Sequence, residues 1–192
     1  MPEFTYDTPY AEKNDFYQLL EDDRPLFVLF LRNMGHPLTR HYILRYAETR
    51  SQLRDARLAV VVRSRPESIA RNFPEGSLPC TVLCDAEGAL YDYAGVQMEP
   101  SRFRAYSLEG LHILKDAAKA GFEEDKNAPQ QLPLTLLLGR EGEVLMAQYG
   151  TSITDQPASC GAMQDIMDAR RKLLAKLDAP AAPAEEQQPE AK

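Results

Sequence analysis

The sequence contains no tryptophan, and only three cysteines and three histidines among its 192 residues. Three cysteines are too few for the disulfide framework of a small secreted protein, and they fit a reducing compartment. No apolar run approaches the ~18–20 residues that a membrane-spanning helix needs. The opening stretch, MPEFTYDTPY, has neither a basic region nor an apolar core, so no secretory signal is predicted. We therefore expect a cytoplasmic protein that does not associate with membranes.

Excess basic charge is also missing, since the formal net charge is −7. The acidic residues concentrate at the two ends: residues 1–23 carry seven acids and one lysine, and residues 179–192 carry three acids and one lysine. The stretch between them is close to neutral and lacks the basic patch that nucleic acids or anionic membranes require. Nucleic acid is therefore excluded as an expected partner.

The chain divides into three segments by composition. Residues 1–24 form an acidic extension for which a helix is predicted, and residues 25–178 hold enough apolar residues for one packed domain. Residues 179–192 are rich in proline, alanine and glutamate and have no apolar periodicity, which predicts a disordered tail.

Strand-like and helix-like patterns alternate within the domain. The continuous apolar runs Leu26–Leu31, Leu58–Val62 and Leu134–Leu138 predict strands that are covered on both faces. Pro37 marks the start of a helix whose apolar stripe extends to about Ala56. Further elements are predicted at Cys80–Cys84 (strand), Ser107–Ala120 (helix capped by Ser107), Glu143–Gln148 (second strand of a hairpin) and Met163–Leu177 (helix). This order predicts an α/β fold with a mixed sheet and helices on both faces.

Four stretches carry a more specific signal: FVLFLRNMGHPLTRHYIL (Phe27–Leu44), VVVRSRPES (Val60–Ser68), CDAEGALYDYAGV (Cys84–Val96) and LPLTLLLGREGEVLMAQYG (Leu132–Gly150). In this order they resemble peroxiredoxin-like proteins of the alkyl hydroperoxide reductase/thiol-specific antioxidant family. The resemblance runs from about Leu26 to Gly150. It implies a thioredoxin-like fold, with a central mixed β-sheet flanked by helices, and a redox, antioxidant function.

The sequence departs from that family at the two positions of the reactive cysteines. The family pattern R-x-x-G-C-P-x-C-R reads Arg32-Asn-Met-Gly-His-Pro-Leu-Thr-Arg40 in this chain, so His36 and Thr39 stand at the two cysteine positions and Arg40 matches. The resemblance implies a thiolate at a helix N-terminus that attacks a peroxide and becomes a sulfenic acid. An imidazole and a hydroxyl cannot undergo that oxidation. We therefore expect a degenerate active site and a binding or interaction module without thiol peroxidase activity.

His36 has two interpretations. At a helix N-terminus the dipole disfavours imidazolium, so a neutral, surface-facing histidine without a role is expected. The other interpretation is a ligand-binding histidine in an inherited pocket, which His41 and Glu48 could flank. A metal needs three or more protein ligands, which this segment does not offer, so neither a metal nor a cofactor is predicted. His112, in a predicted helix among leucines, is expected to be a partly buried structural residue.

The cysteines leave one enzymatic alternative open. On a strand, Cys80 and Cys84 would be ~13 Å apart, too far for a disulfide, and core packing is expected for both. Cys160 comes just before the final helix, where a thiol could be exposed and activated by the helix dipole. The alternative function is a thiol-dependent antioxidant oxidoreductase that uses Cys160 as a relocated nucleophile. A homodimer, a protein partner and a small ligand all remain open as partners.

Overall fold

The computed structural model of the protein describes residues 5–99, 101–121 and 130–177, and the predicted tail 179–192 lies outside these ranges. In chain order the elements are β1 (Thr5–Tyr6), β2 (Asn14–Asp15), β3 (Leu26–Phe30), α1 (Pro37–Thr49), β4 (Arg57–Val62), α2 (Pro66–Ala70), β5 (Thr81–Cys84), α3 (Ala89–Tyr93), β6 (Met98–Glu99), α4 (Arg102–Ala105), α5 (Leu108–Lys119), β7 (Gln130–Gln131), β8 (Leu134–Leu138), β9 (Val144–Tyr149) and α6 (Cys160–Leu177). Short 3₁₀ helices span Phe16–Leu20 and Arg50–Gln52.

A five-stranded mixed sheet with the order β5-β4-β3-β8-β9 forms the centre of the fold. Strands β3, β4 and β5 run parallel, whereas β8 is antiparallel to both β3 and β9. The three apolar runs predicted as interior strands occupy the three central positions, because only strands covered on both faces can be apolar at every residue. The predicted α/β class, a central mixed sheet flanked by helices, is confirmed.

Alternate side chains of the central strands serve two separate cores. Phe27 and Leu29 of β3 pack against Tyr42 and Tyr46 of α1, in a cluster that also contains Met163 of α6. On the opposite face, Val28 and Phe30 pack in a cluster with Tyr91 of α3 and Leu20 of the first 3₁₀ helix. The period of two along a strand therefore directs β3 into both layers of helices.

The N-terminal segment packs onto the sheet. Where a helix is predicted within residues 1–24, the structure has the antiparallel pair β1–β2 followed by a 3₁₀ helix. Leu20, at the end of that helix, is buried. Asp7 forms an isolated bridge with Cys84, whose backbone N–H donates to the Asp7 carbonyl at 2.8 Å. The segment thereby reaches the outer edge of β5.

Two helix predictions need correction. The first helix ends at Thr49 instead of about Ala56, because the chain tightens into the 3₁₀ turn that starts at Arg50. Ser107 caps α5 as predicted, but His112 is exposed, not partly buried. The closely packed face of α5 is at Gly110, where a side chain would collide with Ile153, and Ile113 packs on the same cluster. His112 lies between them on the opposite face of the helix. None of the described helices is long and apolar enough to cross a membrane.

Candidate functional site

The loop between β3 and α1 places His36 at the start of the helix. His36 is the N-cap residue of α1, with an extended backbone, and Pro37 occupies the first helical turn. The His36 Nδ1 atom accepts a hydrogen bond from the Leu38 backbone N–H at 3.2 Å. The imidazole thus satisfies a helix N–H that would otherwise have no partner, as an Asn or Asp side chain commonly does at this position.

The expectation that His36 faces the surface is wrong, since its side chain is among the buried ones, with 4% exposure. Burial, and then the positive charge of Arg32, lower the pKa of His36 to about 3. The imidazole is therefore neutral at every physiological pH, as expected from the helix dipole. A histidine with so low a pKa is poorly suited to general acid or base catalysis near neutrality.

A set of polar side chains from distant parts of the chain fixes the surroundings of His36. Arg32 donates from Nη1 to Gln130 Oε1 at 2.7 Å, and the Tyr106 hydroxyl donates to the same oxygen at 3.0 Å. Gln131 Nε2 donates to the Leu31 carbonyl at 2.9 Å. The sequence analysis missed these glutamines, because nothing local marks a residue about a hundred positions away as a partner of this loop.

The other two predicted site residues differ in exposure. Thr39 is 2% exposed, and its buried Oγ1 makes no hydrogen bond to any residue that the structure describes. Arg40 is exposed, and its Nε donates to the Met34 carbonyl at 3.3 Å. Thr39 faces a cavity of about 10 Å³ whose lining includes Arg32, Leu38, Gln131, Pro133 and Ile153. That volume corresponds to about one water molecule.

Cys160 is far from this site and is not an exposed thiol, which corrects the expectation. It is the first residue of α6, it is fully buried, and its Sγ donates to the Tyr46 carbonyl at 3.6 Å. Its backbone N–H donates to Thr49 Oγ1 at 3.0 Å. Tyr46 and Thr49 lie in the last turns of α1, whereas His36 caps its first turn, and a helix of 13 residues is about 20 Å long. Burial raises the pKa of the Cys160 thiol.

The remaining chemistry-bearing residues do not assemble a second site. Burial, followed by the negative charges of Asp7 and Glu67, raises the pKa of Cys84 to about 12. Among the described residues no three His, Cys, Asp or Glu side chains form a group that could hold a metal. A wider concavity, of about 730 Å³, lies between the loop Thr8–Glu12 and α2. It contains none of the predicted site residues.

No protein-family model and no curated protein sequence matches the chain. Solved structures do match it. A mutant form of the peroxiredoxin 6 of Arenicola marina gives a TM-score of 0.59 at 12% identity, over 98% of this chain and 78% of that chain. The bacterioferritin comigratory protein of Xanthomonas campestris, described as having alkyl peroxide reduction activity, gives 0.57 at 14% identity, over 90% and 92%. The peroxidoxin BcpB of Mycobacterium tuberculosis gives 0.55 at 14% identity, over 95% and 96%.

These neighbours define the fold. The five-stranded sheet, its strand directions and its flanking helices are those of the thioredoxin-like fold as peroxiredoxins have it. The predicted thioredoxin-like, peroxiredoxin-like architecture is confirmed. At identities of 12–14% the neighbours carry no activity over to this chain.

Proposed function

We propose that this protein has no thiol peroxidase activity and acts as an interaction module built on the peroxiredoxin-like fold. The observation that carries the proposal is that His36 is buried and neutral. The resemblance places a reactive thiolate at this position, and here a buried, neutral imidazole accepts the helix N–H that a thiolate could accept. The side chain at the start of α1 therefore has a structural task and no oxidisable atom.

The cysteines support the same conclusion. Peroxide reduction needs a thiolate, whereas burial raises the pKa of Cys80, Cys84 and Cys160. The Cys160 thiol also donates its hydrogen to a backbone carbonyl, which favours the protonated form. The alternative, an oxidoreductase that uses Cys160, lacks both an activated thiol and a neighbouring His36.

A peroxide consumption assay tests the first half of the proposal. The protein is incubated with hydrogen peroxide and either a thioredoxin system or glutathione, and the wild type is compared with Cys80→Ser, Cys84→Ser and Cys160→Ser. We expect no turnover above the background of the reductant alone in any of the four proteins. Turnover in the wild type that disappears in Cys160→Ser but persists in both Cys80→Ser and Cys84→Ser would establish the alternative enzyme and end the proposal.

The small size of the cavity beside Thr39 favours a protein partner over a small ligand at this site. A space of about 10 Å³ beside Thr39 admits a water-sized molecule, so the site does not explain binding of an organic compound. A more extensive unpaired feature lies at β9, which has β8 on one side and no paired strand among the described residues on the other. Val144 and Tyr149, at the two ends of β9, are 60% and 45% exposed.

We propose a second copy of this chain as the occupant of the β9 edge. Natural sheet edges commonly carry lysine, proline or a charge that blocks pairing, and the six residues of β9, VLMAQY, contain none of these. When a strand pairs antiparallel with its own copy across a two-fold axis, a charge near the middle of the strand would come close to the same charge of the partner. An uncharged strand is therefore compatible with self-pairing, and its free N–H and C=O groups supply the bonds.

Light scattering during size-exclusion chromatography tests the dimer. We expect the wild type at twice the 21.6 kDa of one chain. Ala147→Lys should shift it toward the monomer, because Ala147 is exposed near the middle of β9, where the axis would bring the two lysines close together. Leu44→Lys is the matched control: Leu44 is 63% exposed on α1, away from the edge. A monomeric wild type at high concentration, or equal weakening by both variants, contradicts pairing through β9.

A further inference from the structure

The fold brings Cys80 to a defined face and end of the sheet. Cys80 directly precedes β5, and the parallel pairing of Ala59 with Thr81 puts it beside the beginning of β4. Val82 belongs to the core beneath α1 and α6, and side chains two positions apart on a strand share a face. Cys80 accordingly packs against that same core.

Cys160 reaches the same core from the layer of helices that covers this face of the sheet. It is buried in the core that Cys80 contacts, and its Sγ lies 3.6 Å from the Tyr46 carbonyl in the penultimate turn of α1. Because α1 runs back against the direction of β3 and β4, its last turns lie over the start of these strands, which is where Cys80 stands. Tyr46 is the shared neighbour: after burial and Tyr42, the nearby thiols of Cys80 and Cys160 raise the pKa of its phenol.

We propose that Cys80 and Cys160 form an oxidisable thiol pair that closes to an intramolecular disulfide between the start of β5 and the start of α6. Burial, and then the nearby Cys160 thiol, raise the pKa of Cys80 to about 12. Cys84 is excluded from the pair, because its position at the far end of β5 places it beside Asp7. The inference stands apart from the proposed interaction function.

The chemistry balances with hydrogen peroxide as the oxidant. One sulfur, as its thiolate, attacks the peroxide and breaks the O–O bond, giving a sulfenic acid and, after protonation, one water molecule. The other sulfur then displaces the hydroxyl group of the sulfenic acid, so that the S–S bond forms and a second water molecule leaves. Both sulfurs are oxidised by one electron each and the peroxide is reduced by two. Without a reductant the reaction stops after one peroxide per chain, which separates it from peroxidase turnover.

Burial sets the expected rate. A thiol with a pKa of about 12 is almost wholly protonated at neutral pH, so oxidation should need excess peroxide and proceed slowly. Closing the disulfide would join two residues that are far apart along the chain. A cross-link across a loop of that length restricts the unfolded chain and raises the melting temperature.

Mass spectrometry of the intact chain tests the proposal without any variant. The full chain is treated with excess hydrogen peroxide, its remaining thiols are alkylated in denaturant, and the protein is digested without reduction. We expect the loss of two hydrogens, one alkylated thiol at Cys84, and a linked peptide that joins Cys80 to Cys160. Denaturing electrophoresis without reductant separates single chains from covalently linked pairs before digestion, so that links between chains are counted separately.

Variants sharpen the test. Cys84→Ser should form the cross-link as the wild type does, whereas Cys80→Ser and Cys160→Ser should not form it and should lack the peroxide-induced rise in melting temperature. Three outcomes overturn the proposal: a linked peptide that contains Cys84, links only between chains, or cysteines that reach sulfinic acid with no disulfide. Because the peptide map of the unmodified chain decides the pairing, a variant that fails to fold cannot obscure the result.

Discussion

Replacing His36 should change how the stability of this protein depends on pH. In the unfolded chain a histidine titrates near pH 6.5, whereas burial and Arg32 hold the pKa of His36 at about 3 in the folded protein. Between these two values the unfolded chain binds a proton that the folded protein does not. The contribution of His36 is therefore fully present above pH 6.5, and it is lost progressively as the pH falls toward 3.

The magnitude follows from the width of that interval. Well inside it each pH unit costs about 1.4 kcal/mol, and the unfolded histidine is already half protonated at pH 6.5. The free energy of unfolding should therefore fall by about 2 kcal/mol between pH 6.5 and pH 4.5 through His36 alone. Since whole domains are stable by only about 5–15 kcal/mol, a loss of this size is easily measured. Carboxylates also contribute to the total change, which is why a variant is needed to isolate the histidine.

His36→Asn is the informative substitution. Asparagine can accept the Leu38 N–H at the N-cap, but it does not titrate. The smaller side chain lowers stability by an amount that does not depend on pH, so the slope is the readout. Urea denaturation at several pH values between 6.5 and 4.5 should show a mean slope in the variant that is flatter by about 1 kcal/mol per pH unit.

The exposed His112 supplies the control. His112→Asn should keep the steep acid loss of stability, because its ring stays in solvent. Equal slopes in the wild type and in His36→Asn would refute the account of His36 as a buried, neutral N-cap residue. They would also remove the main support for the proposed loss of peroxidase chemistry.

Three further substitutions test the packing around the site. Gly150→Ala would bring a Cβ within 2.7 Å of a Pro133 ring carbon and 3.0 Å of its carbonyl oxygen, so we expect a loss of about 1–3 kcal/mol in chemical denaturation; an unchanged midpoint would show that the backbone yields. Tyr91→Phe removes a buried hydroxyl that bonds the carbonyls of Leu31 and Val61, and it should cost about 1–3 kcal/mol by the same measurement. Wild-type stability in this variant would contradict the expectation. Ser107→Ala removes the N-cap bond to Gly110 and should cost about 1 kcal/mol, whereas Ser107→Gly should cost less; a larger loss for glycine would count against the cap.

The central sheet could be predicted from the sequence because its signal is local. Leu26–Leu31 and Leu58–Val62 are apolar at every position, and strands covered on both faces read that way. The cap at Ser107 was predictable for the same reason, since the side chain and the N–H it accepts lie three residues apart. The C-terminal end of α1 and the β1–β2 pair, where a helix is predicted, could not be read from the sequence, because tertiary contacts decide them.

The sequence predicts where the candidate site lies, but not that its side chains are buried. The motif from Arg32 to Arg40 correctly locates the loop and the start of α1, yet it contains nothing that reports burial. His36 is buried in a loop where Arg32 bonds Gln130 and the Leu31 carbonyl accepts from Gln131, contacts with β7 that come from about a hundred residues away. Cys160 was expected to be exposed from its place before a helix, and the contact with Tyr46, more than a hundred residues earlier, puts it in the core.

The bridge between Asp7 and Cys84 affects how many chains could assemble through their sheet edges. In a pair of chains joined through β9, the combined sheet ends on both sides at a β5 strand, and each β5 is short and already met at Cys84 by the N-terminal segment of its own chain. A third chain would find no comparable uncharged, six-residue strand to extend. If two chains pair through β9 as proposed, we therefore expect assembly to stop at two chains and no fibre to grow.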